Sequence, residues 1–246
     1  MEKITFVNIA IRQLIVSYNI QKISKVLNNK MKKLVVPNQP ISECETIFDK
    51  IKLIQTSGAL ASIDQVNWKN EFPTQLPVSV RVAHDEDKLY LYYEVIGEEV
   101  RAVNTKDFGS VWEDSCVEFF MQREGETSYR NFECNILGVL LAAYHQTREI
   151  SERMPDDVME SIYRHSTISH RFEYGKQVCD WTMYLEIPKE AMGFNKGEVL
   201  NGQVIRANFY KCGDKTPSTH FISWNAIDLP SPNFHVPQFF GQLELE

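Results

Sequence analysis

The sequence predicts an all-β protein: a β-sandwich of immunoglobulin-like or jelly-roll-like architecture, with short helical turns and an N-terminal extension. About ten short runs alternate apolar and polar residues with the two-residue period of a strand, and clusters of turn formers separate them. Segments of helical period are scarce beyond the N-terminus, which leaves sheet-on-sheet packing to bury the apolar faces. With 246 residues, 43% of them hydrophobic and 24% charged, the chain is long enough for a sizeable core.

Residues 1–35 read as the extension. Ile4 to Ile20 is apolar-rich, but Arg12 and Gln13 interrupt it and no small-residue cleavage site follows, so it suits neither a signal peptide nor a membrane span. The expected location is therefore the cytoplasm. Met31-Lys32-Lys33-Leu34 resembles a translation start, which would leave residues 1–30 outside the native protein; an amphipathic surface helix is the competing reading.

Residues 36–246 read as one domain, because no repeat, low-complexity tract or linker divides them. Ile47 to Leu53 is expected as a strand, and Trp68, near Pro73 and Pro77, as a core plug under an entry loop. Val78, Val80 and Val82 alternate with polar neighbours, residues 84–88 turn the chain, and Leu89 to Ile96 returns as a hairpin ending at Gly97. Residues 98–110 form a loop into Trp112, which opens the next strand. In that strand Val117, Phe119 and Met121 point to the core, and Cys116, Glu118 and Phe120 to the other face. Tyr129 to Leu137 repeats the pattern, with Phe132, Cys134 and Ile136 inward and Asn131, Glu133 and Asn135 opposite. Val139 to Tyr144 completes a meander. Residues 145–164 are charged and read as a surface excursion. Further strands follow at Ser166 to Tyr174, Val178 to Ile187, Val204 to Cys212, His220 to Trp224 and Gln242 to Leu245, with a helical turn at Lys189 to Gly193.

The net charge of −7 argues against a nucleic-acid partner. Five cysteines, widely spaced and without a C-x-x-C pair, indicate buried free thiols rather than a zinc motif or a disulfide framework. The sequence does not set the oligomeric state.

The chemistry concentrates in a few residues. Trp112, Glu118, Glu133 and Asn135 lie on two successive strands; Arg206, Asn208 and Tyr210 share one face of a later strand; Phe234 and His235 sit in a loop stiffened by Pro230, Pro232 and Pro237. A flat aromatic beside carboxylate, amide and guanidinium groups suits a mono- or oligosaccharide, whose C–H faces pack on π surfaces while its hydroxyls need donors and acceptors. Each residue alone is also compatible with a solvated sheet face or a core edge.

Several segments then carry a resemblance: Trp-Glu-Asp-Ser-Cys-Val-Glu-Phe-Phe at 112–120, Asn-Phe-Glu-Cys-Asn at 131–135, Trp181 to Gly193, Ile222-Ser223-Trp224, residues 232–241, and Ile63-Asp64 with Trp68. Together they resemble the family 9 carbohydrate-binding modules, relatives of the DOMON superfamily. The resemblance implies a β-sandwich that binds a sugar between two tryptophans without catalysis. By position Trp112 is the first clamp residue and Glu118 the carboxylate that accepts sugar hydroxyls. The second tryptophan falls on Phe234, a ligand-binding arginine falls on Glu133 with the charge reversed, and Asn135 and Asn208 match polar positions near the site. The resemblance also implies structural calcium, for which no ligand residues are assigned.

Three other readings compete. Glu118 and Glu133 on adjacent strands would be the carboxylate pair of a glycoside hydrolase. The DOMON connection allows haem, though Met121 points inward and no histidine pairs with it. A sandwich without a small-molecule ligand would use Trp112 and Phe234 as a protein-binding patch.

Overall fold

The computed structural model describes residues 31–246. The two readings of residues 1–30, as a non-native leader or a surface helix, lie outside the described residues. One compact unit spans Lys33–Glu246, and its first four residues, Lys33–Val36 (β1), pair parallel to the C-terminal strand Gly241–Leu245 (β14).

Two sheets build the sandwich. The larger contains Cys116–Arg123 (β6), Tyr129–Asn135 (β7), Leu140–His145 (β8), Ser151–Arg153 (β9) and Val204–Gly213 (β12), in the order β1-β14-β12-β6-β7-β8-β9. His220–Ser223 (β13) branches from β12 and carries the two-residue strand Gln65–Val66 (β3). The smaller contains Ala59–Ser62 (β2), Val78–His84 (β4), Lys88–Glu98 (β5), Tyr163–Glu173 (β10) and Lys176–Pro188 (β11), in the order β10-β11-β5-β4-β2. The expected hairpin is β4–β5, and the expected meander is β6–β7–β8.

Strand periodicity places the main core. Val117, Phe119 and Met121 of β6, Phe132 and Cys134 of β7, and Ala207 and Phe209 of β12 face Val80, Leu91, Tyr93, Met183 and Leu185 of the other sheet. Phe119 stacks between Phe132 and Phe209 at 5.9 and 5.4 Å. Each such ring contributes about 1.5–3 kcal/mol by burial. Tyr93 ties the sheets together by donating its hydroxyl to the Glu118 carbonyl at 3.0 Å. At one end of the core an ion pair joins them: Lys211 Nζ donates to Glu98 Oε1 at 2.8 Å, and both residues are almost fully buried.

Three expectations are corrected. Residues 47–53 are not a strand but part of helix Ile47–Ser57 (α1). Ile47, Ile51 and Leu53 fit a two-residue period, yet Ile47, Ile51 and Ile54 fit a helix as well. Thr46 decides between them, its hydroxyl accepting from the Asp49 amide at 3.2 Å as an N-cap. The helix covers the outer face of the smaller sheet, where Ile54 packs with Tyr90, Tyr92 and Tyr184.

The stretch 145–164 is not wholly a surface excursion. It holds β9 and a short helix, Asp156–Ser161 (α2), and Met154, Met159 and Ile162 reach the main core. Three apolar residues at irregular spacing carry no periodic signal.

Trp112 does not open a strand. It lies in a 3-10 turn, Val111–Glu113, and β6 begins at Cys116. Asp114 shapes this corner: its buried carboxylate accepts from the Val103, Asn104 and Asn135 nitrogens and pairs with Arg101. Trp68, by contrast, is the buried plug expected, donating its indole N–H to the Leu229 carbonyl at 2.8 Å.

Candidate functional site

The outer face of the larger sheet holds a cavity of about 390 Å³. Alternation along the strands decides what lines it, since every residue pointing away from the inter-sheet core on β6, β7, β8 and β12 points toward this side. Glu118 and Phe120 come from β6, Asn131 and Glu133 from β7, Ala143 and His145 from β8, and Cys212 from β12. Trp112, Asp214 and the loop residues Asn233, Phe234 and His235 form the rim. The cavity therefore gathers Trp112, Glu118, Glu133, Phe234 and His235 of the expected set.

Asn135 and Asn208 are corrected: neither lines the cavity. Asn135 accepts from the Leu137 and Val139 amides and donates to the Asn104 carbonyl and Asp114. Asn208 accepts from the Phe209 and Asn225 amides and donates to the Asn225 carbonyl. Both hold loops: Asn135 satisfies four groups and Asn208 three, and neither side chain is turned to the cavity.

Trp112 is 37% exposed, and its turn is tied to the end of β12 by the Asp214 amide donating to the Trp112 carbonyl at 3.1 Å. Phe234 is more enclosed than a clamp residue needs to be. One face of its ring stacks on Tyr210 at 4.1 Å with a 7° interplanar angle. The prolines that frame its loop and the Tyr210 hydroxyl, which donates to the Phe234 carbonyl, hold it there. His235 is gripped likewise: Tyr129 Oη lies 2.9 Å from its Nδ1, and Phe120 packs at 5.0 Å. Burial, with His145 and Arg148 nearby, lowers its pKa to about 3, so the ring is neutral at physiological pH.

The floor is acidic, and burial disfavours its negative charge. Glu118 and Glu133 face each other directly across β6 and β7. Burial first, then Cys212 and Glu133, raises the Glu118 pKa well above its ordinary value. Cys212 Sγ lies 2.9 Å from Glu118 Oε1. Glu133 is pushed up to about 7 by burial, partly offset by the Asn131 amide, which donates to Oε1 at 2.8 Å. Its other oxygen, Oε2, is buried and has no hydrogen-bond partner within the protein. Burial also pushes Asp214 up to about 6.

Asn131, His145, Arg148, Arg153, Cys212 and Asp214 are lining residues that the sequence reading did not select. The two-residue period that links Glu133 to Asn131, and Tyr210 to Cys212, carries the signal for two of them. Arg148 comes from the connection between β8 and β9 and Arg153 from the short strand β9 itself, where no local pattern points at a site.

Among the described residues, the cluster of potential metal-ligating side chains is Cys116, Glu118 and Cys212. Two thiols and one carboxylate do not suit calcium, which takes about six to eight oxygen ligands. No helix among these residues is long and apolar enough to cross a membrane.

Two packed, mainly antiparallel sheets with an aromatic-rimmed, polar-floored cavity on one outer face are the architecture of a β-sandwich carbohydrate-binding module. Residues 48–245 match the model of carbohydrate-binding family 9, and the chain belongs to that family. It is similar to a Bacteroides uniformis protein provisionally described as carbohydrate-binding, with 37% identity over 88% of this chain and 100% of that one, at a TM-score of 0.78. Two structures of a family 9 module from Caldicellulosiruptor kristjanssonii share the fold. The complex with glucose has 13% identity over 87% of this chain and 96% of that one, at a TM-score of 0.56. The complex with cellotriose has 12% identity over 87% and 94%, at 0.55. Among curated proteins, nothing matches this chain.

Proposed function

We propose that the cavity binds a mono- or oligosaccharide without catalysis, one sugar ring lying on Trp112. The observation that carries the reading is Glu133 Oε2, a buried acceptor without a protein partner on the wall of a cavity rimmed by an exposed indole. Buried acceptors are almost always paired, and a sugar hydroxyl is a donor of the right size. Glu118, neutral at this depth, offers both a donor and an acceptor rather than the pure acceptor expected of an ionised carboxylate. Arg148 and Arg153 supply the guanidinium chemistry that this chain lacks at Glu133, where the family pattern has an arginine. Phe234 contributes to the wall while its ring is committed to Tyr210, so the stacking rests mainly on Trp112. Glucose and cellotriose, which occupy the Caldicellulosiruptor complexes, are the ligand class to try first.

Glycoside hydrolysis fits less well. Glu118 and Glu133 are direct cross-strand partners, but hydrolysis needs one carboxylate ionised as base or nucleophile, and burial disfavours the charge on Glu118 and leaves Glu133, pushed up to about 7, only partly ionised near neutral pH.

Isothermal titration of the full chain against a panel of gluco-oligosaccharides tests the reading. Saturable binding that falls at least tenfold in Trp112→Ala, with the fold unchanged by circular dichroism, supports it; equal affinity in the variant places the site elsewhere. Release of reducing sugar, abolished in Glu118→Gln, would establish the hydrolase instead.

A further inference from the structure

Cys116, Cys212 and Glu118 make a cluster that sugar binding does not explain. Cys116 and Cys212 are direct cross-strand partners in the β6–β12 register, and Glu118 is two residues along β6 on the same face. Their sulfurs and a carboxylate oxygen all lie within 4.8 Å of one another. Each residue is at most 3% exposed. Glu118 and Cys212 nevertheless line the cavity, so the triangle opens on one side to it. Two other cysteines behave differently. Cys134 belongs to the inter-sheet core and Cys179 to the smaller sheet, and neither lies near a carboxylate on the cavity side.

We propose that Cys116, Cys212 and Glu118 bind a thiophilic divalent cation of the zinc class at the base of the cavity. Two thiolates and a carboxylate at three corners leave the fourth position of a tetrahedron open, and that donor set selects zinc and its neighbours over calcium or magnesium. Glu133, opposite Glu118, brings a second observation: its buried Oε2 has no protein partner. It is placed to accept a hydrogen bond from a water at the open position, as carboxylates around metal ligands commonly do. Coordination forms two metal–sulfur bonds and one metal–oxygen bond, and the protons of both thiols and of the carboxyl leave to solvent, so that the site carries one net negative charge. The strands pre-arrange the triangle, so binding requires side-chain rotation and no change of register. The site shares Glu118 and Glu133 with the proposed sugar contacts, and the titration below is run without sugar, so its outcome does not depend on that reading.

The test is a cobalt(II) titration of the reduced full chain under anaerobic conditions, followed by displacement with zinc. Expected are one equivalent bound, a thiolate-to-cobalt charge-transfer band in the near ultraviolet, and its loss on adding zinc. Cys134→Ser should keep the band. Cys116→Ser and Cys212→Ser should each weaken binding at least tenfold, and Glu118→Gln should shift the visible cobalt bands. Because wild-type protein gives the primary readout, poorly folded variants leave the test intact. Absence of a charge-transfer band in the wild type overturns the proposal, as does a band that survives loss of both cysteines. Recovery of unreduced protein lighter by two hydrogens, with Cys116 and Cys212 joined in one peptide and no metal taken up after reduction, would overturn it in favour of a cross-strand disulfide.

Discussion

Replacing Lys211 by methionine should be among the most damaging conservative-volume changes in this protein, and its pH dependence should reveal why. Lys211 Nζ donates to Glu98 Oε1 at 2.8 Å and to the Cys212 carbonyl at 2.7 Å, and lies 2.8 Å from His220 Nε2. Glu98 Oε2 accepts the Trp181 indole N–H at 2.7 Å. Methionine retains the packing volume but leaves Glu98, 2% exposed, without its cation. Breaking a buried pair from one side costs roughly 3–5 kcal/mol, whereas replacing both partners is often close to neutral. Lys211→Met should therefore lose about 3–5 kcal/mol in urea unfolding at about pH 8, and Glu98→Gln with Lys211→Met should recover most of it. His220 adds a further signature. Burial and Lys211 hold its pKa down to about 3. Without Lys211 the ring, 3.6 Å from Glu98, gains a partner for its charged form. Its folded-state pKa then rises from about 3, so relative to the wild type the rescue is present at low pH and is lost as pH rises through that raised folded pKa. The deficit of Lys211→Met should thus shrink between about pH 8 and pH 5. A deficit below about 1 kcal/mol at both pH values, or a double variant as unstable as the sum of the singles, would refute the reasoning.

Gly193→Ala should lower stability by about 1–3 kcal/mol. Gly193 has a φ of +85°, and a β-carbon there would sit 2.0 Å from Arg130 Nη2; thermal unfolding measures the loss. Thr46→Ala removes the N-cap of α1 and should cost about 0.5–2 kcal/mol in chemical denaturation, without changing the cavity. Glu133, with a folded pKa of about 7 against an ordinary 4.5, holds its proton longer in the native state. Its contribution is fully present below about pH 4.5 and is lost as pH rises to about 7. Glu133→Gln should flatten stability across that interval; an unchanged slope in denaturation at stepped pH would show that Glu133 titrates normally.

The elements that alternate cleanly were legible without coordinates. Val117, Phe119 and Met121 on one face, against Cys116, Glu118 and Phe120 on the other, follow from the strand period alone, and with them the outer placement of Glu118. The β4–β5 hairpin and the β6–β7–β8 meander are local pairings that short turns enforce. Residues 47–53 were misread because their apolar spacing satisfies two periods, and only a single cap hydrogen bond at Thr46 separates them. Asn135 and Asn208 were placed in the site because alternation indicates a face but not what covers it. Loops 99–110 and 224–227 reach over and use up their hydrogen bonds.

Taken alone, the sequence determined the sandwich, the two-faced strands and the kinship with carbohydrate-binding modules, because these rest on local period and ordered motifs. Tertiary structure decided what surrounds them. Only register across β6, β7 and β12 could bring Glu118 opposite Glu133 and beside Cys116 and Cys212, residues up to nearly a hundred positions apart. Only the return of residues 145–153 over the sheet could set Arg148 and Arg153 against the cavity. The depth of the floor, which raises the pKa of its carboxyls, is a property of packing density, and no single stretch of chain encodes it.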